Sequence, residues 1–222
     1  MERHLDQELE DLKKQLLKMG TLVETAILES VEALKQLSAE KANQVIREDK
    51  MIDQLENEID ERCVDLLALR QPMAVDLRFI AMSMSIATDL ERIADLAVDI
   101  AQRVLDLAGK PQLKPLIDIP KLASLAKQMS KDALDAFVDK DAGLAGSVIL
   151  RDSEADQLRN LIQKELIEDY MVKDSSVVTR AVPLLLIGRH LERICDHATN
   201  IAEEVIYMVN AKVVKHHPEE LK

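Results

Sequence analysis

Apolar residues recur along this chain at steps of three and four. The first stripe reads Leu5, Leu9, Leu12, Leu16, Met19, Val23 and Ala26, then continues to Leu34 and Leu37. That spacing keeps side chains on one face of a helix with about 3.6 residues per turn. Ser38 interrupts the stripe and suits the N-cap of a second helix, which carries Ala42, Val45, Ile52, Leu55, Ile59, Cys63 and Leu66. The second helix is expected to stop near Arg70, because Pro72 disfavours the helical conformation in the residue before it. A third starts around Asp76 and carries Ile80, Met84, Ala87, Ile93, Val98, Ala101 and Leu105. Residues 109–120 then hold three of the six prolines and read as a linker. Pro120 opens a short fourth helix over about 121–138. Asp141 caps a fifth that runs to about Tyr170. The sixth starts after Asp174 or Ser175 and reaches about Val214, with Pro183 and Gly188 predicting a kink or a delayed start. The tail from His216 is expected to fray.

The two halves repeat each other. Residues 89–104 read DLERIADLAVDIAQRV, and residues 190–205 read HLERICDHATNIAEEV. At an offset of 101, Glu91 matches Glu192, Asp95 matches Asp196, and Ile100 matches Ile201. One helix earlier the offset is 103, pairing Asp49 with Asp152 and Asp53 with Asp156. The predicted fold is therefore all-α: two repeated antiparallel three-helix bundles, six long helices in one chain. Residues 1–108 are assigned to the first bundle, 109–120 to the linker, 121–214 to the second bundle and 215–222 to a tail.

Composition agrees and narrows the function. Aromatics are limited to Phe79, Phe137, Tyr170 and Tyr207, while 47% of residues are apolar. Disorder and β-rich folds are both disfavoured by that mixture. The net charge is −12, with −10 of it in residues 1–108 and −2 in the remainder. An acidic, aromatic-poor chain lacks the basic field and stacking platforms used to bind nucleic acid. No secretory signal is apparent, and no apolar run approaches the ~18 residues of a membrane span. Two cysteines, Cys63 and Cys195, supply neither a disulfide framework nor a zinc knuckle, which suits a reducing cytoplasm.

The chemistry, if any, lies in the repeated carboxylates. Asp49 and Asp53 are four apart, as are Glu91 and Asp95, Asp152 and Asp156, and Glu192 and Asp196. Each pair shares one helix face, where like charges destabilise an isolated helix by about 0.2–0.5 kcal/mol. A bound cation is the simplest compensation, since hard ions such as Mg²⁺, Mn²⁺ or Ca²⁺ favour oxygen ligands and iron and zinc accept them. The competing reading is an ordinary solvated face with Arg and Lys neighbours. Catalysis finds little support. A carboxylate-bridged di-metal oxidase wants Glu-x-x-His, yet Ala94 and Cys195 stand three residues after Glu91 and Glu192. Phosphate-binding loops and nucleophile elbows are absent. Cys195 reads as a small buried residue rather than a reactive thiol.

The doubled L-E-R-I-x-D-x-A-x-[DN]-I-A, the segment RQPMAVDLR at residues 70–78, and the D-x-x-x-D-x-L of each half resemble the signature of the PhoU family. The resemblance spans nearly the whole chain. It implies a non-enzymatic negative regulator of phosphate uptake and phosphate-responsive signalling. Such a protein is an adaptor between the ATPase subunit of the phosphate ABC transporter and a sensor histidine kinase. It also implies a cytoplasmic homodimer, held at the inner membrane only through partners, with no membrane insertion and no nucleic acid. Some members bind multinuclear metal clusters through E/D-x-x-x-D motifs, which implies a divalent or trivalent ion here, with Fe, Zn, Mn and Mg as the candidates. Those motifs fall here on Asp49, Asp53, Glu91, Asp95, Asp152, Asp156, Glu192 and Asp196. Asp99 and Asn200 occupy the family's next acidic or amide position. Ala94 and Cys195 replace a customary glycine, and His190 stands opposite Asp89 in the repeat, so the two halves need not bind metal equally. The alternatives are a metal-binding or metal-dependent enzyme on carboxylate helices and a purely structural helical protein.

Overall fold

The computed structural model describes residues 4–211, and no strand occurs among them. The elements are α1 (His4–Gln36), α2 (Ala39–Glu48), α3 (Lys50–Arg70), α4 (Ala74–Leu107), α5 (Asp118–Asp139), α6 (Ala142–Lys164) and α7 (Val178–Asn210). A π-helical segment, Glu165–Met171, continues α6, and a 3₁₀ turn, Ser175–Val177, precedes α7. Helices α1, α2/α3 and α4 form one bundle and α5, α6 and α7 the other. The expected two bundles of three long helices are therefore present. The expected end of the last helix near Val214 and the tail lie outside the described residues.

The predicted caps form. Ser38 Oγ accepts from the Lys41 amide at 3.3 Å, and Asp141 Oδ1 accepts from Gly143 and Leu144 at 2.8 and 3.0 Å. Both satisfy amides that an α-helix leaves open at its first turn. Two details differ from the sequence reading, both of them interruptions of a long helix. The second helix is interrupted at Asp49, whose carbonyl accepts from Ile52 at 2.8 Å in a tighter i→i+3 bond. Apolar spacing does not register this, because Asp49 keeps helical dihedrals and the stripe passes through the junction unbroken. The fifth helix widens into π geometry after Lys164. Pro183 lies inside α7, where it lacks the N–H that would have bonded Thr179. Lys110 Nζ instead donates to the Thr179 carbonyl at 3.4 Å, anchoring the linker to that turn.

Glycine is scarce, so helix ends are closed by other residues. Leu37, Gln71, Lys140 and Ala211 all take φ between 47° and 55°. Left-handed backbone strains any residue that carries a Cβ. Lys140→Gly is expected to stabilise the protein by about 0.5–1 kcal/mol, read as a higher denaturant midpoint. An unchanged or lower midpoint would refute the strain.

The two bundles share one continuous apolar core. Helices α4 and α7 pack along each other antiparallel: Arg78 Nε donates to the Met208 carbonyl at 3.2 Å near one end, and His190 approaches Asp99 at 3.6 Å near the other. Helix α1 also packs on α5. Phe79 of α4 and Phe137 of α5 stack with centroids 4.9 Å apart and planes 15° from parallel. Half of the chain's aromatic side chains thus meet at the junction of the repeats. No helix among the described residues is long and apolar enough to cross a membrane.

Candidate functional site

The four repeat-matched carboxylate pairs assemble into two clusters, one per bundle. In the first, α4 carries Glu91 and Asp95, while Asp49 and Asp53 sit where α2 passes into α3. The apolar stripe explains the placement. Ile52 and Leu55 of α3 and Leu90 and Ile93 of α4 point inward, so the acids one to three positions away lie at the rim of the groove between these helices. Asp49 and Glu91 are half-buried, and Asp53 is exposed. Burial, with the charges of Asp53, Asp95 and Glu91 added, pushes the Asp49 carboxyl up to about 6. Burial and Asp95 likewise raise Glu91. Both are the expected response of carboxylates crowded together in a partly desolvated place.

The second cluster repeats this geometry on α6 and α7. Burial, then Glu192 and Asp152, push Asp196 up to about 6. Burial, Asp156 and Glu192 raise Asp152. All eight predicted acids therefore fall into two clusters, four in each.

Arginines stand at both sites. Arg92 reaches Glu91 at 3.4 Å and Asp95 at 3.2 Å. Arg159 bridges Asp156 at 3.5 Å and Glu192 at 3.3 Å. The clusters are not ready-made metal cages: among the described residues, no three or more Asp, Glu, His or Cys side chains close on one point. Donor chemistry nonetheless suits a hard cation, above all in the first bundle. There Glu56, a further half-buried acid raised by burial and by Asp60, adds its charge to Glu91. The sequence reading missed Glu56 and Arg159. They occupy matched positions at the offset of 103, and a search for repeated acids passes over a site where one half has Glu and the other Arg.

Asp99 and Asn200 belong elsewhere. They line the α4–α7 seam, where His197 Nδ1 lies 2.7 Å from Asp89 Oδ1 and Asn200 Nδ2 donates to the same oxygen at 3.5 Å. His190 approaches Asp99 at 3.6 Å, which is the Asp89–Asn200 contact carried through the repeat. Ser85 also donates to Glu204 across the seam. These groups join the repeats and do not face the clusters.

Neither cysteine is poised for nucleophilic chemistry. Cys63 and Cys195 are fully buried, and burial raises both thiols, Cys63 to about 12. A thiol held protonated is a poor nucleophile.

An α-helical duplication with an acidic cluster on each half, and no reactive thiol beside them, defines a two-repeat carboxylate-bundle protein. The PhoU domain model matches residues 16–104 and again 119–205. The chain belongs to the PhoU family. It is 42% identical over 212 residues to the phosphate-specific transport system accessory protein PhoU homolog of Aquifex aeolicus, covering 96% of each chain. It is 40% identical to the Pseudomonas aeruginosa homolog, over 94% of this chain and 86% of that one. Among solved structures, PhoU from Pseudomonas aeruginosa superposes with a TM-score of 0.90 at 40% identity, covering 94% of this chain and all of that one. The phosphate transport system regulatory protein PhoU from Streptococcus pneumoniae gives 0.88 at 32% identity, over 95% and 99%.

Proposed function

We propose that this protein is a non-enzymatic regulator of phosphate transport, acting as an adaptor between the ATPase subunit of a phosphate ABC transporter and a sensor histidine kinase. The observation that carries this reading is the match, in both repeats and over nearly the full chain, to proteins named as accessory or regulatory components of phosphate transport. Long, rigid helices offer the extended faces and grooves on which partner helices or loops can lie. Membrane association then comes through those partners, and a homodimer would double each binding face.

The first cluster is read as a cation site held by Asp49, Asp53, Glu91 and Asp95. A bound divalent ion would supply positive charge to four crowded carboxylates and fix α2, α3 and α4 relative to one another. Support for it comes from the raised Asp49 and Glu91 carboxyls and from the excess of acid over base around them. In the second cluster Asp152, Asp156, Glu192 and Asp196 are partly neutralised by Arg159 already.

Deleting the gene in phosphate-replete medium tests the regulatory role. The expected result is raised phosphate uptake and constitutive phosphate-responsive transcription, both restored by the intact gene. Unchanged uptake and transcription would overturn it. Pull-downs at high and low phosphate should recover the ATPase subunit and the kinase in differing proportions.

A further inference from the structure

The two clusters are related by the repeat but differ in charge, and the difference is concentrated in one cleft. Beside the second cluster lies an open cavity of about 530 Å³, lined by Arg159, Gln163, Arg189, Arg193, Glu192 and Asp196. Three arginines there face two carboxylates. The matched positions of the first bundle are Glu56, Asp60, Thr88, Arg92, Glu91 and Asp95, where one arginine faces four carboxylates. Thr88 has become Arg189, Glu56 has become Arg159, and Asp60 has become Gln163. Each of these changes moves the second cleft toward positive charge. The overall charge follows the same division, −10 against −2 for the two halves.

The arginines are not all consumed by structure. Arg159 is held by Asp156 and Glu192. Arg189 and Arg193 are exposed, on one face of α7 four residues apart, and neither has an ion pair among the described residues. Two free guanidinium groups on adjacent turns, with a third across the cleft on α6, form a fork suited to an oxyanion.

We propose that this cleft is a binding site for inorganic phosphate. Arg189 and Arg193 supply the charged donors, and the Gln163 amide adds a neutral one. Glu192 and Asp196 set which anion is accepted. Orthophosphate near neutral pH is a mixture of H₂PO₄⁻ and HPO₄²⁻, and both keep a P–OH that can donate to a carboxylate. Sulfate has no such hydrogen. A phosphate monoester, whose second ionisation lies near ~6, has mostly lost its own. Ionised carboxylates only accept hydrogen bonds, so they reward an anion that donates one and repel one that cannot. The cleft also lacks an aromatic side chain on which a nucleotide base could stack. The first bundle's counterpart would repel any anion, so one phosphate per chain is expected.

This deepens the regulatory reading by placing a phosphate sensor inside the protein, yet its test needs neither transporter nor kinase. Failure of phosphate binding would leave the deletion phenotype intact, and a missing phenotype would leave the binding measurement standing. Titration calorimetry or equilibrium dialysis of the full chain in chelator, with orthophosphate, sulfate and AMP in separate arms, gives the answer. The expected result is saturable binding of one orthophosphate, at least about tenfold tighter than sulfate or AMP. Arg189→Ala with Arg193→Ala should weaken it at least about tenfold. Arg47→Ala, an exposed arginine on α2, should leave it unchanged. Both changed arginines are exposed, and an unaltered melting temperature would show that the variant folds. Four outcomes would each overturn the proposal: no saturable phosphate binding, equal affinity for sulfate, tighter binding of AMP, or phosphate binding that survives loss of both arginines.

Discussion

Phe137→Ala is expected to destabilise the protein by about 3–5 kcal/mol, the usual cost of emptying a fully buried phenylalanine site. For a chain of this length that corresponds to a drop in melting temperature of roughly 6–20 °C. Phe137 has no exposed surface, and it is stacked on Phe79 at 4.9 Å. The stack contributes about 0.5–1.5 kcal/mol beyond burial. Its place makes it sensitive. Phe79 is on α4 of one repeat and Phe137 on α5 of the other, so the pair couples the two bundles. The rest of the buried core is mostly aliphatic. Urea unfolding monitored by circular dichroism measures the effect. A loss below about 1 kcal/mol would mean that the junction repacks freely and that the stack does not join the bundles.

Asp49→Asn is expected to act in opposite directions with and without metal. In metal-free protein the folded carboxyl is pushed up to about 6 from an ordinary 3.8. A group whose folded pKa is raised contributes its stability below the unfolded pKa and loses it as pH rises through the folded one. Asp49 therefore favours folding at pH 4 and below and opposes it above about pH 6. With allowance for solvent screening at a half-buried site, the loss is about 1–2 kcal/mol. Asparagine removes it. The variant should melt about 2–8 °C above the wild type at pH 7.5 in chelator, and no higher at pH 4. Saturating Mn²⁺ or Mg²⁺ should reverse the order, because a carboxylate ligand binds metal only when deprotonated. At a hundred times the dissociation constant a ligand adds about 2.7 kcal/mol to the wild type. Thermal melts at the two pH values, with chelator or metal, contain every comparison. Equal metal-induced shifts in the two proteins would remove Asp49 as a ligand. Equal melting temperatures in chelator at pH 7.5 would remove the crowding.

Most of the fold is legible in the chain because helix formation and helix burial both follow local spacing. The stripe from Leu5 to Leu34 needs no partner to predict α1, and Ser38 and Asp141 cap helices through bonds to residues two or three positions away. The internal repeat carries the pairing of helices, since two similar halves fold to two similar bundles. It also identifies the eight acids, whose clustering follows once equivalent helices pack in equivalent ways. What escaped local reasoning was a local change of hydrogen-bond register and long-range electrostatics. The interruption at Asp49 leaves the apolar stripe unbroken. Glu56 and Arg159 escaped because their importance lies in facing a neighbouring helix and in differing between the halves.

The sequence by itself determined that this is an all-helical, duplicated protein with an acidic first half, and it identified the residues that could bind a cation. Periodicity, capping and repeat identity are properties of neighbours along the chain, so they survive without coordinates. Only the tertiary structure decided that α4 and α7 lie antiparallel, which takes Asp99 and Asn200 away from the clusters and into the seam with His190 and Asp89. It alone brought Arg159 of α6 against Glu192 of α7 and left Arg189 and Arg193 unpaired at the rim of a shared cleft. Charges on separate helices act on one another through space, and their separation there is set by how the aliphatic core packs, a distance the order of residues does not contain.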